Sequence, residues 1–181
     1  MTAGASPFLA PWSNFYIMTA AAAASLTGLM FVVITLTTSV KRSQRVPDGI
    51  STFSTPTVVH FCAALFLSAI LIAPWRAMVL PAVFLGLAGL YGLMYMVVVA
   101  RRTKQLTAYD PDLEDWAWYT MVPFVAYGAI LAGAAMLVRL PEDALFVLAA
   151  GVALLIFLGI RNAWDIVTYI AIGPSDDNPS P

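Results

Sequence analysis

Five apolar windows constrain this chain more than anything else in it; they cover residues 15–40, 56–74, 78–100, 116–138 and 144–172. A helix of about 20 apolar residues crosses the hydrocarbon core of a bilayer, and each window is of that order. Lipid offers no partners for backbone N–H and C=O groups, so a crossing segment must be a helix or part of a closed barrel. Barrel strands read as alternating segments of about ten residues; these runs are longer and do not alternate. The windows predict an all-α membrane protein, a bundle of five transmembrane helices. Composition points the same way. The 181 residues are 61% hydrophobic and 10% charged, where a soluble domain carries about 25% charged residues.

Basic residues predict the orientation. Lys41, Arg42 and Arg45 follow the first window, and Arg101, Arg102 and Lys104 follow the third. Alternate crossings put both groups on one side, with Arg76 and Arg139 on the other. The positive-inside rule makes the richer side cytoplasmic, so the amino terminus is expected outside and the carboxyl terminus inside. Residues 1–173 are expected to form one domain, and 174–181 a short disordered tail rich in Asp and Pro. The leading MTAGASPFLAPWSNF has no Lys or Arg. A secretory signal needs a positive start, so the first helix is expected to stay in the mature protein. Cys62 is the only cysteine, which excludes an intramolecular disulfide and a Cys-based zinc motif. It is expected to be a small buried hydrophobe.

Between helices in lipid there is no hydrophobic drive, and small residues mark the faces where backbones approach. Ala20, Ala24 and Gly28 stack on the first helix, Gly86, Gly89 and Gly92 on the third, and Gly128, Ala129, Ala132 and Gly133 on the fourth. These faces are expected to be bundle contacts or contacts between protomers. Trp12, Phe15 and Tyr16, then Trp75, then Trp116, Trp118 and Tyr119 sit at window edges, as an interfacial aromatic belt does. Asp110, Asp112, Glu114 and Asp115 precede the fourth helix, where the helix dipole favours acids; the same four carboxylates also suit a cation.

The stretch GIRNAWDIVTYIA, residues 159–171, sets charge inside the last window. Residues 144–160 are 17 apolar residues, about 25 Å of helix, so Arg161 falls just inside the cytoplasmic boundary. Asp165 is one turn further and shares its face. Asn162, Thr168 and Tyr169 extend a polar stripe that should face protein or water. His60, the only histidine, lies one turn past Pro56, where a proline suits a helix start. That places His60 at the level of Arg161 and Asp165, with Thr35, Thr37 and Thr38 close by. His60, Arg161, Asn162, Asp165 and Tyr169 form the candidate intramembrane polar site, either a structural clamp or a site for a proton, ion or ligand.

WSNFYIMTAAAAASLTGLMFVVI, STPTVVHFCAALFLSAILIAPW and GIRNAWDIVTYIA, about a third of the chain, together resemble a family of small multi-helix bacterial inner-membrane proteins. The resemblance implies a bacterial inner (cytoplasmic) membrane address. No activity is established for that family, so the likeness transfers no catalytic residue. There the position of Arg161 is often histidine, which sets the resemblance against a fixed Arg161–Asp165 pair as the essential device.

Three functions compete. An oligomeric channel or transporter for protons, ions or a small solute would use His60 and Asp165 along its route. An accessory or assembly subunit of a larger membrane complex would need only its lipid-embedded surface. A lipid- or isoprenoid-acting enzyme would use His60 as base, yet the chain holds no nucleophile elbow, no HExxH and no acidic metal motif. The reading is non-enzymatic, with transport first. No cofactor or metal is expected: one His per chain would require two protomers to share a bis-His haem. The expected partners are the bilayer and either a second copy or a membrane complex, and not nucleic acid.

Overall fold

The computed structural model describes residues 7–41, 49–104 and 117–172. The acidic stretch 110–115, Trp116, Arg42, Arg45 and the tail 174–181 lie outside the described residues. Those described form helices and turns with no strand among them: α1 Ser13–Lys41, α2 Gly49–Ile72, α3 Val79–Lys104, α4 Val122–Met136 and α5 Pro141–Ile172. A 3-10 turn, Ala10–Trp12, leads into α1, and a π turn, Ala117–Met121, leads into α4.

Four of the five windows become helices long and apolar enough to cross a membrane: Ala10–Leu36, Thr55–Ile72, Val79–Arg101 and Pro141–Thr168. The window 116–138 is different. Its α-helix has only 15 residues. Pro123 has no N–H to give the carbonyl four residues back, and the turn before it widens into the π form. At the other end Arg139 and Leu140 both donate to the Met136 carbonyl, at 3.0 and 2.8 Å. Pro141 then opens α5, where its missing N–H costs nothing.

The second helix does not begin at Pro56 as expected. It starts at Gly49 and runs through the proline. Pro56 leaves the Thr52 carbonyl without its helical donor, and the flanking Thr55 and Thr57 are residue types that re-satisfy such groups in membrane helices.

Across the bundle the order is α3, α4, α5, α2, α1, with α1 also touching α5 and α2 meeting α3 only weakly. The last helix is the centre: 56% of its spanning window is buried, against 17% for α1. Successive helices run antiparallel, so the starts of α1, α3 and α5 share one end with the finish of α2 and α4. We name this the Tyr16 end and the opposite one the His60 end.

The small-residue faces divide. On α3, a Cβ at Gly89 would meet the Leu131 backbone nitrogen at 3.0 Å, so α3 and α4 touch nearly backbone to backbone. On α4, Gly133 faces Leu148 of α5, whereas Gly128 has open space around it. The α1 stripe makes no contact within the bundle at Ala24 and Gly28, which leaves contact between protomers as the expectation for that face. Ala24 and Gly28 are exposed, nothing lies within 4 Å of a Cβ at Gly28, and the buried side of α1 is instead Tyr16, Thr19, Ala23 and Met30. Cys62 is a correction. It is exposed, because α2 buries Thr57, His60, Phe61, Ala64, Leu67, Ser68 and Leu71 and turns Cys62 away.

The Tyr16 end is closed by its own side chains. Tyr16 Oη donates to the Leu145 carbonyl at 3.2 Å, and the Thr19 and Ser68 hydroxyls share a bond of 2.9 Å. Trp75 Nε1 donates to the Ile70 carbonyl at 2.6 Å. Trp12 meets Phe146 edge to face at 4.7 Å, which ties the entry of α1 to the first turns of α5.

Candidate functional site at the His60 end

His60 is carried into the interior by the face of α2 on which Thr57 and Ala64 also lie, and it is 1% exposed. Its Nδ1 shares a hydrogen bond of 3.0 Å with the hydroxyl of Tyr127 on α4. Tyr127 is itself 2% exposed. Its ring lies so close to α3 that any side chain at Gly92 would collide with it. The glycine is required here for close approach, and it seats the ring whose hydroxyl meets His60.

A second glycine seats the neighbour of His60. A Cβ at Gly159 on α5 would strike the Phe61 ring. This contact fixes the relative depth of α2 and α5: Phe61 lies opposite Gly159, two residues before Arg161. His60 and the polar stretch of α5 therefore occupy one level. Met30, Phe61 and Ile166 form a small apolar cluster there, joined by Leu26, Val33, Val58 and Ala163.

The polar residues of α5 part around the helix. Asn162 is 2% exposed, and its Oδ1 meets no hydrogen-bond donor among the described residues. It lies between Gly159 and Ile166 on the α2-facing side. Arg161 is half-buried and turned toward α4, with its guanidinium carbon 4.5 Å from the centroid of the Trp118 ring. Asp165 is half-buried. Thr168 Oγ1 donates within α5, to the carbonyls of Trp164 at 2.9 Å and Asp165 at 3.1 Å. Tyr169 falls within α5, but its side chain is outside the described set, as are those of Thr37 and Thr38. Thr35 bonds the Phe31 carbonyl of its own helix at 2.8 Å.

The stretch GIRNAWDIVTYIA thus turns different residues to different neighbours: Asn162 toward α2, Arg161 toward Trp118, and Trp164 outward at 69% exposure. Two residues essential to the geometry were not expected from sequence. Trp118 reads as part of an interfacial belt, and in the structure it also takes a cation on its ring face, an attraction of about 0.5–2 kcal/mol depending on desolvation. Tyr127 sits in the middle of PFVAYGAI, away from any belt position. A phenol in mid-window needs a buried partner, and that was the available signal.

Chemically the end offers an imidazole hydrogen-bonded to a phenol, a carboxamide oxygen with acceptor capacity left over, and a guanidinium on an indole. The described residues contain no group of three His, Cys, Asp or Glu side chains placed to hold a metal ion. No family model, curated protein or solved structure matches the chain.

Proposed function

We propose that the protein is a five-span protein of the bacterial inner membrane, amino terminus outside and carboxyl terminus cytoplasmic. Its His60 end serves as a polar station in an oligomeric channel or transporter for protons, ions or a small solute. The observation that carries this reading is the buried His60–Tyr127 bond with Asn162 buried at the same level. Three helices bring polar side chains to one depth in an apolar bundle. Ionisable groups at a helix centre cost about 2.5–3.5 kcal/mol on insertion scales, and imidazole is the side chain suited to relay a proton near neutral pH. A fifth crossing is supported by the π turn, which continues directly into α4 and lengthens that stretch to residues 117–136, about the 20 residues a crossing needs.

Reconstitution tests the reading. Wild-type proteoliposomes should leak protons, an ion or a small solute, and Asp165→Asn and Tyr127→Phe should each abolish the flux. Wild-type vesicles as tight as empty ones would sink it. For the orientation, a carboxyl-terminal fluorescent reporter that matures only in the cytoplasm should glow; a dark fusion with an active periplasmic reporter at the same site would reverse it.

A second reading, an accessory or assembly subunit, is favoured by the uncovered Ala24 and Gly28 side of α1. Small residues on a membrane helix suit close contact with another helix. Native purification separates the two: a stoichiometric foreign partner supports the subunit, and a homo-oligomer alone supports the channel.

A further inference from the structure

We infer that Asn162 Oδ1 is one wall of a binding site for a single internal water molecule, lodged between α5 and α2 and held from the α2 side by Thr57 and His60. Asn162 is 2% exposed, and its Oδ1 has no donor among the described residues. Buried polar atoms in folded proteins nearly always have a partner, and when protein supplies none an ordered water commonly does. The register places the other wall. With Phe61 opposite Gly159, one helical turn onward along α5 brings Asn162 opposite Val58, between Thr57 and Phe61. Thr57 and His60 are the buried polar residues of α2 at that level, at 0% and 1% exposure. A buried water needs two to four polar partners, and these three side chains are of that number.

The chemical class follows from the groups. A carboxamide oxygen accepts, so the occupant must donate a hydrogen or carry positive charge. Were the carboxamide turned the other way, its NH₂ would need an acceptor. Water serves either orientation because it both donates and accepts, whereas a bare cation or an anion serves only one. The guanidinium carbon of Arg161, the neighbouring cation, lies over the Trp118 ring on the α4 side. Phe61, Ile166 and Met30 form an apolar cluster at the same level, which favours a small occupant over a large polar solute. The site goes beyond the transport reading: it is a property of the packed helices and stands whether or not anything crosses the membrane.

Radiolytic footprinting of the full chain in lipid nanodiscs reads this directly, because hydroxyl radicals formed from a bound water oxidise side chains within a few ångströms of it. Met30 and Phe61, at 3% and 0% exposure, are reactive side chains clustered with Ile166, one turn along α5 from Asn162. Both should be oxidised several-fold faster than Tyr16, which is equally buried at the opposite end. The excess should be lost in Asn162→Leu, which keeps the size and removes the polar atoms. Met30 and Phe61 as protected as Tyr16 in the wild type would overturn the site without requiring any variant to fold. Oxidation that persists in Asn162→Leu would overturn Asn162 as its wall. Oxidation present in sodium and absent in choline would mean a hydrated cation and overturn the assignment to water. None of these outcomes depends on flux, so the site and the transport reading fail separately.

Discussion

The two ends of the bundle use similar side chains to different effect. At the Tyr16 end, Tyr16, Thr19 and Ser68 bury their hydroxyls and bond to one another or to the backbone, and Trp75 bonds the carbonyl of Ile70. At the His60 end, His60 bonds Tyr127, while the carboxamide oxygen of Asn162, itself buried, meets no donor among the described residues. A fully satisfied buried network rigidifies, and a partly satisfied one is where a ligand or a proton has something to do. The Tyr16 end accordingly reads as a clasp and the His60 end as the candidate site.

The largest expected effect tests whether both ends hang on one seam. Gly89→Leu would push a side chain into the Leu131 backbone, 3.0 Å from where its Cβ begins, and backbone cannot step aside as a rotamer can. Overpacking of this kind costs about 1–3 kcal/mol and sometimes more. The variant should lose its monodisperse peak in detergent, while Leu90→Ala, at an exposed position, and Gly28→Leu, with open space around it, should keep theirs. Equal melting of Gly89→Leu and Leu90→Ala would show that the α3–α4 seam does not hold the ends in register.

A smaller effect sharpens the contrast itself. Tyr16→Phe and Tyr127→Phe each remove one interhelical hydrogen bond, worth about 0.6 kcal/mol on average between membrane helices and about 1.7 at most. Thermal melting should fall by a similar small amount in both. Flux should fall only in Tyr127→Phe. If Tyr16→Phe stops flux as completely, clasp and site are not distinct regions.

The smallest effect concerns Arg161. Trp118→Leu removes the ring under the guanidinium, and with Arg161 half-buried the loss should be about 1 kcal/mol. A double-mutant cycle with Arg161→Leu should return a coupling of that order. A coupling of zero would leave the 4.5 Å contact as proximity without attraction.

Much of the polar level was legible without coordinates. Counting apolar residues from 144 to 160 and from Pro56 to His60 put Arg161 and His60 at one depth, because a helix rises by a constant amount per residue. The helix start used in that count moves to Gly49, yet α2 and α5 do share this level, with Phe61 against Gly159. The contacts around His60 were not legible. In lipid the outward face of a helix is as apolar as the inward one, so the periodicity that reveals a buried face in water is lost. Ala24 and Gly28 looked like a contact face within the bundle and lie on the open side of α1, while Tyr127 and Trp118 looked ordinary and contact His60 and Arg161.

What the sequence determined alone is the solvent and the secondary structure. An apolar chain with 10% charged residues must live in lipid, and lipid obliges the backbone to satisfy itself as helices. What only the tertiary structure decided is which faces meet. That choice depends on shape: Gly92 admits the Tyr127 ring, Gly159 admits Phe61, and Pro123 shortens α4 behind a π turn. Local composition specifies none of these contacts, because each depends on two helices that are distant in the chain and arrive together only on packing.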